Sequence, residues 1–263
     1  MTHANTSAVV CRNVGRAFGT NGTSRQILTN IDLEIAAGEI ISIIGASGSG
    51  KSTLLRALGG LDVGFTGEVL IDGTAVAAYD PRCAIGFQEP RLLPWATVTD
   101  NVAIGLPEGT PKSTATARVA ELLDLVGLAE AADHRPREIS GGMAQRASLA
   151  RAMARDPEIL LLDEPFGALD ALTRIKMQQL LLDVHAQTGT TTVMVTHDVD
   201  EALLLSDRIV LLDASPHTEG ATIANIFTPP APRPRASHDP ALVVLREALL
   251  AGLGVEPLAS SKG

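Results

Sequence analysis

The sequence predicts an α/β fold, in which a helical subdomain is inserted into a core built on a mainly parallel sheet. The apolar runs EIISIIG at 39–45 and ILLLDEP at 159–165 are typical of strands buried on both faces of such a sheet. Within 98–154, four apolar residues fall on one face of a helix: Val119, Leu122, Leu123 and Val126. With 263 residues and 45% hydrophobic content, the chain can bury the core of one large domain with a modest subdomain.

Composition argues against several classes of protein. A formal net charge of -9 disfavours a nucleic-acid surface, so we expect no nucleic acid among the partners. The first residues show no basic segment followed by an apolar run, and no stretch of about 18 apolar residues occurs. We therefore expect neither secretion nor a membrane span. Cys11 and Cys83 lie in no metal-like spacing, which predicts reduced, structural thiols in a cytosolic protein.

The stretch GASGSGKST after the first buried run predicts a phosphate-binding loop. It matches G-x-x-x-x-G-K-[ST], with a strand before it and a predicted helix from Lys51 to Leu58 after it. Glycines let backbone N–H groups point inward at an anion, and the helix adds the positive end of its dipole. This context argues against an ordinary flexible surface loop. The residues expected to bind nucleotide are Gly45, Ala46, Ser47, Gly48, Ser49, Gly50, Lys51, Ser52 and Thr53.

The run ILLLDEP ends in two acids, which predicts hydrolytic chemistry. Asp163, at the carboxyl end of a parallel strand, is suited to hold Mg²⁺ through a water molecule. The Ser52 hydroxyl would bind the same ion directly. Glu164 can polarise the attacking water, so hydrolysis is a simpler interpretation than transfer to a second substrate. The alternative is a helix cap or a solvated turn. The glycine loop makes that alternative remote.

The segment ISGGM at 139–143 predicts a second phosphate-binding device. Ser140 can cap a helix that begins at the glycine pair, where N–H groups lack intrahelical partners. One nucleotide does not need both devices from the same chain. We therefore expect each chain to lend Ser140, Gly141 and Gly142 to the nucleotide of a neighbour.

ISGGM resembles the LSGGQ signature of the ABC transporter ATPases. The resemblance runs from about Val9 to about Asp213, and the motifs stand in the family's order. It implies a RecA-like P-loop NTPase core, an N-terminal antiparallel β-subdomain, and a head-to-tail dimer that encloses ATP and Mg²⁺. The expected ATPase domain is 8–228, with its helical subdomain at about 95–155. The signature departs from the pattern at Met143, which leaves the effect of the missing glutamine open.

The resemblance also implies roles for four further residues. Phe18 matches the aromatic that stacks on adenine, with an edge-strand core aromatic as the alternative. Gln88 matches the glutamine that touches Mg²⁺ and the lytic water, and Asp170 lies in the loop that crosses the dimer interface. His197 matches the histidine that contacts the γ-phosphate, with a structural histidine as the alternative. The implied catalytic set is Glu164, His197 and Gln88, and the implied metal set is Ser52, Gln88 and Asp163.

The stretches at 87–106 and 164–189 resemble the nitrate, sulfonate and taurine importer group. This implies a peripheral subunit on the cytoplasmic face of the inner membrane, bound to permease subunits and served by a periplasmic or lipid-anchored solute-binding protein. Aliphatic sulfonate is favoured, and nitrate and taurine stay open. Trp95 would face the permease, with a core tryptophan as the alternative.

Two hypotheses from other classes remain. One is a non-transport ABC ATPase; the chromosome and repair members carry a long coiled coil between the nucleotide motifs, and no sustained heptads separate Lys51 from Asp163. The other is an interaction module with an inactive nucleotide site, which the presence of the catalytic residues disfavours.

The segment 229–263 is expected to be a proline-rich linker followed by a short C-terminal helix. The run TPPAPRPRASHDP predicts an extended chain with Arg233 and Arg235 exposed. Asp239 is a candidate N-cap and Pro240 a candidate first helical residue. The residues predicted on the buried face of this helix are Leu242, Leu245 and Leu249.

Overall fold

A computed structural model describes residues 7–20, 23–213, 219–236 and 239–255. The chain divides into two compact units: Met1–Tyr79 with Val193–Gly263, and Asp80–Thr192. No helix in the described ranges is both long and apolar enough to cross a membrane. The boundaries predicted at 8–228, 95–155 and 229–263 are not those of the compact units, and as domain limits they stay predictions.

The first unit begins with a four-stranded antiparallel sheet. Its strands lie in the order β2 (Thr23–Ala36), β1 (Ser7–Thr20), β4 (Thr66–Ile71) and β5 (Thr74–Ala75). Val9 and Val14 of β1 are buried, and bulges interrupt the register around the second of them. The sheet is the expected N-terminal antiparallel β-subdomain.

The first unit also contains the strand that leads into the glycine loop. Strand β3 (Ile40–Gly45) is buried along its whole length and runs parallel to β9 (Arg208–Asp213), which pairs antiparallel with β10 (Thr222–Phe227). Burial on both faces explains the unbroken apolar sequence of β3. Strand β8 (Thr191–Val195) is also fully buried, and in sequence it spans the boundary between the two units. The helices of this unit are α1 (Lys51–Leu58), α6 (Val199–Leu205) and α7 (Pro240–Gly252).

The second unit combines a parallel strand pair with the predicted helical insertion. Strand β6 (Cys83–Gly86) pairs in parallel with β7 (Ile159–Asp163). The four apolar residues that predicted the helical face, from Val119 to Val126, are all buried. The helices are α2 (Val98–Ala103), α3 (Lys112–Leu125), α4 (Gly141–Met153) and α5 (Ala171–Thr188), with 3₁₀ turns at Ala129–Ala131 and Pro136–Glu138.

The two cysteines are buried, one in each unit. Burial raises the pKa of the Cys11 thiol and of the Cys83 thiol to about 12. Both side chains therefore stay protonated at neutral pH, as structural thiols do.

The expectation of two exposed arginines in the linker is wrong. Arg233 Nη2 donates to Asp207 Oδ2 over 2.9 Å, and Arg235 Nη1 donates to the carbonyls of Leu203 and Ser206 over 2.9 and 2.7 Å. The last carbonyls of a helix have no intrahelical partners, and the Arg235 guanidinium satisfies them at the end of α6. The proline-rich composition predicted that both arginine side chains would be exposed to solvent. Instead, their hydrogen bonds hold the segment against the end of α6.

The predicted C-terminal helix is confirmed as α7. Asp239 Oδ1 accepts from the backbone N–H of Ala241 over 2.9 Å, and Pro240 is the first helical residue. Leu242 and Leu249 are buried in a core cluster shared with α6 and β9, and Leu245 packs against it. His238 and the tail 256–263 lie outside the described residues.

Candidate active site

The glycine loop between β3 and α1 requires its glycines. Gly48 and Gly50 have φ values of +78° and +87°, a left-handed conformation that side chains disfavour. A Cβ on Gly50 would lie 2.7 Å from Leu28 Cδ2, and one on Gly45 would lie 2.6 Å from the carbonyl oxygen of Leu212. Glycine therefore permits the tight curl before α1, through its left-handed backbone at Gly48 and Gly50 and through the close contacts at Gly45 and Gly50.

The polar groups of the loop form a donor set that fits phosphate. Lys51 is 8% exposed, and its Nζ donates to the carbonyls of Gly45 and Ala46 over 2.9 Å each. Among the described residues, Ser49 Oγ is one of three buried side-chain polar atoms without a hydrogen-bond partner. A buried hydroxyl left in this state is costly unless a bound group satisfies it. No side chain caps the start of α1, because its N-cap is Gly50.

Two further predicted residues lie in the first unit. Phe18 in β1 is 46% exposed, and the guanidinium of Arg16 lies 4.1 Å from its ring centroid. The alternative of a core aromatic is therefore wrong. His197 is exposed just after β8, and its neighbour Thr196 is fixed by a 2.6 Å hydrogen bond to Glu201 Oε2 in α6.

In the second unit, Gln88 and Glu164 approach the same point. Asp163 ends β7, and Glu164 follows with a φ of +48°, which is uncommon for any residue but glycine. A Cβ on Gly167 would lie 3.2 Å from Gln88 Nε2 and 3.7 Å from Glu164 Oε2. Glycine at this position leaves room for the amide and the carboxylate, so the structure brings these two predicted catalytic residues together.

The signature segment begins α4 as predicted. Ser140 is the N-cap, and its Oγ accepts from the backbone N–H of Met143 over 3.2 Å. Asp170 caps α5 in the same way, and hydrogen bonds from Thr173 hold the pKa of its carboxyl below the usual value. A Cβ on Gly142 would lie 2.5 Å from Thr173 Cγ2, so the start of α4 packs closely against the start of α5.

Three polar residues that sequence reasoning missed organise the segment after β6. Gln145 in α4 donates to the carbonyls of Phe87 and Pro165, and Arg151 in the same helix donates to the carbonyls of Pro90 and Arg91. Asn101 in α2 is fully buried and bonds the backbone from Leu93 to Thr97. The only sequence signal was a polar residue on an otherwise apolar helix face, which indicates a buried partner without naming it.

Trp95 lies in that segment and is 70% exposed. The alternative of a core tryptophan is therefore wrong. Exposed aromatic rings of this kind are favoured at protein interfaces.

Comparison with known proteins assigns this site to a family. The family described as ABC transporter matches residues 28–167. An aliphatic sulfonates import ATP-binding protein of Xanthomonas axonopodis pv. citri is 48% identical over 241 residues, covering 91% of this chain and 93% of that protein. One from Nocardia farcinica is 49% identical, covering 97% of this chain and 95% of that protein. A bicarbonate transport ATP-binding protein of Synechococcus elongatus is 45% identical and covers 92% of this chain, which spans 37% of that longer protein.

Solved structures agree with the sequence comparisons. The dimeric ATP-binding cassette MJ0796, described in a post-hydrolysis state with ADP and Pi, is 34% identical with a TM-score of 0.71. The match covers 85% of this chain and 99% of that one. The chain therefore belongs to the ABC transporter family. It is one of the ATP-binding subunits of that family, which hydrolyse ATP to drive transport.

Proposed function

We propose that this chain binds ATP with Mg²⁺ and hydrolyses it to energise the import of an aliphatic sulfonate through membrane permease subunits. The observation that supports this most directly is the glycine loop. Its tight backbone, the buried Lys51 ammonium and the unpartnered Ser49 hydroxyl form a donor set for phosphate. The convergence of Gln88 and Glu164 at Gly167 adds groups suited to hydrolysis.

ATP would be held mainly by the residues of the loop, 45–53. Lys51 would exchange its two carbonyl acceptors for the β- and γ-phosphates, since charge-assisted bonds to phosphate are the stronger ones. The backbone N–H groups at the start of α1 would also donate to the phosphates, and the positive end of the helix dipole would favour their negative charge. The nearly half-exposed ring of Phe18 offers an aromatic face to adenine.

Mg²⁺ prefers oxygen ligands, and three of the predicted residues carry them. The Ser52 hydroxyl, the Gln88 amide oxygen and the Asp163 carboxylate are the groups that we assign to it. The bound ion would neutralise the charge that develops on the phosphates during transfer.

Hydrolysis would depend on Glu164 as the group that polarises the attacking water. The left-handed backbone of Glu164, which residues other than glycine disfavour, lies directly after the strand that ends in Asp163. The Gln88 amide, close to the same Gly167 position, would orient that water. His197 would contact the γ-phosphate.

The signature segment would serve the nucleotide of a second copy of this chain. Ser140, Gly141 and Gly142 form a capped helix start with no charged side chain in its first turn, which suits binding of a phosphate presented by a partner. Asp170 would lie at the same interface. A head-to-tail dimer follows, and the related MJ0796 cassette is described as dimeric.

The sulfonate substrate rests on the names of the relatives and on the resemblance in 87–106 and 164–189. Nitrate and taurine remain alternatives, and the bicarbonate relative adds a third. Import of any of these four anions implies that the chain is a peripheral subunit on the cytoplasmic face of the inner membrane. A periplasmic or lipid-anchored solute-binding protein would deliver the anion to the permease. A non-transport ABC ATPase would need no permease at all.

Uptake in a deletion strain tests the substrate. Cells that lack this gene should lose accumulation of a radiolabelled alkanesulfonate while keeping that of nitrate, taurine and bicarbonate. Wild-type chain should restore it, and Lys51→Ala expressed to the same level should not. Loss of nitrate, taurine or bicarbonate uptake instead would reassign the substrate, and normal uptake of all four anions would contradict the importer function.

Trp95→Ala tests the permease contact. The variant should copurify less with the permease while its melting temperature stays near that of wild type, because the ring is exposed. Tyr79→Ala is the matched control, since Tyr79 is a 77% exposed aromatic in the other unit. If Trp95→Ala docks as well as the Tyr79 control, the permease does not bind at Trp95.

A further inference from the structure

Two side chains of α4 hold the backbone around Gln88 from both sides. Gln145 Nε2 donates to the carbonyl of Phe87, directly before Gln88, over 3.2 Å. Arg151 Nη2 and Nη1 donate to the carbonyls of Pro90 and Arg91 over 2.7 and 2.9 Å. The segment 87–91 is therefore tied to a helix that begins at the signature glycines.

The Gln145 amide also bonds the backbone next to the hydrolytic residue Glu164. Its Nε2 donates to the carbonyl of Pro165, directly after Glu164, over 3.1 Å. The side chain is only 6% exposed, so both of its N–H groups need protein acceptors, and these two carbonyls supply them. One buried amide thus bonds the residue before Gln88 and the residue after Glu164.

A second buried amide, that of Asn101, holds the part of the segment that contains Trp95. Asn101 Oδ1 accepts from the N–H of Leu93 over 2.7 Å, and its Nδ2 donates to the carbonyl of Thr97 over 2.9 Å. A Cβ on Gly105 would lie 2.0 Å from the carbonyl of Arg151, so the end of α2 abuts α4 directly. Backbone held at both ends by hydrogen bonds from side chains of α4 and α2 moves with the helices that hold it.

We infer that Gln145 and Arg151 are positioning residues that make the 87–97 segment move with α4. A phosphate that docks at Ser140–Gly142 would then shift Gln88 and Trp95 together with the helix, which couples the partner's nucleotide to the permease contact. This inference rests on the proposed function. Neither residue touches the nucleotide, and both act on the backbone beside residues that do.

Trp95 offers a direct readout, because it is the only tryptophan in the sequence. Acrylamide quenching of its fluorescence is measured on the isolated chain with and without AMP-PNP and Mg²⁺. Wild type should change its quenching when the analogue binds at protein concentrations that favour the dimer. Gln145→Met keeps the volume and removes the donors, and Arg151→Met removes the second anchor.

In both variants the change at Trp95 should fall below half of the wild-type change, while AMP-PNP affinity stays within about threefold, as expected for residues that modulate coupling without contacting the ligand. Gln179→Met and Arg155→Met are matched controls, since both residues are exposed and both should respond as wild type does. Arg151→Lys should retain part of the response, because the ammonium can satisfy one of the two carbonyls. A thermal melt identifies any variant that does not fold. If one of the two variants does not fold, the other one is used for the test.

A full response at Trp95 in both folded variants would overturn the inference, as would a wild type that binds AMP-PNP without any change at Trp95. A wild type that binds no AMP-PNP would remove the proposed function itself, which distinguishes the two failures.

Discussion

Two helices of this protein begin beside or at glycines, yet their first turns are built differently. Helix α1 starts after Gly50, a left-handed residue with no side chain to cap it, and Lys51 folds its ammonium back onto two loop carbonyls. Helix α4 starts after Ser140, whose hydroxyl accepts from the N–H of Met143, and its first turn carries no charge.

The difference explains why the two sites are expected to do different work. The α1 loop has a left-handed backbone at Gly48 and Gly50, a buried cation and an unpartnered hydroxyl, so it can hold phosphate by itself. The start of α4 is already capped by its own serine and offers only backbone N–H groups and a helix dipole, a weak site in isolation. Such a site is useful chiefly where another chain presents a bound nucleotide to it.

Glu164→Gln should have the largest effect, because it stops hydrolysis while leaving both helix starts intact. Loss of a well-placed general base lowers turnover by about 100- to 10,000-fold. ATP binding should persist, and an ATP-bound dimer should accumulate, visible by size-exclusion chromatography. Turnover within a few-fold of wild type would remove Glu164 from this role.

Lys51→Ala should weaken nucleotide binding at the α1 loop alone. Each hydrogen bond to a charged group contributes about 1.5–3 kcal/mol, so loss of one or more should lower ATP affinity by roughly 10-fold or more. Titration with a fluorescent ATP analogue measures this, and no trapped dimer should form. Arg56→Ala, an exposed cation in the last turn of the same helix, is the control and should bind normally.

Met143→Gln should have the smallest effect, since the cap at α4 uses the backbone N–H of residue 143 and not its side chain. Glutamine adds hydrogen-bonding groups that methionine lacks. We expect activity to be kept and ATP-driven dimerisation to tighten by at most about 0.5–1.5 kcal/mol, the value of one net hydrogen bond. Sedimentation with ATP in a Glu164→Gln background measures it, and weaker dimerisation would show that Met143 itself contributes.

Local pattern was enough for the elements that lead into the site. The β3 strand, the glycine loop and α1 stand where the sequence predicts them, because burial on both faces and a fixed glycine spacing are properties of neighbouring residues. The cap of α7 at Asp239 and that of α4 at Ser140 follow from the same short-range chemistry.

Contacts between distant residues could not be predicted in this way. Composition suggested an exposed Arg235, but its partners are carbonyls at the end of α6, about 30 positions earlier in the chain. The left-handed backbone at Glu164 could not be predicted, because the residue is not a glycine. The hydrogen-bond partners of Gln145, Phe87 and Pro165, belong to two other segments of the chain. The assignment of Ser140 to a neighbour's nucleotide remains a prediction because it depends on a second chain.

ATPase rate against protein concentration, for wild type and Ser140→Arg, tests the central claim that α1 and α4 serve one nucleotide from two chains. The substitution puts bulk and an unpaired charge where the partner's γ-phosphate would dock, and it leaves the α1 loop untouched. Wild-type rate per chain should rise with concentration and then level off, while Ser140→Arg binds ATP normally and stays near background throughout. Equal rates for the two proteins, independent of concentration, would contradict the shared site and leave ISGGM as a capped helix start only.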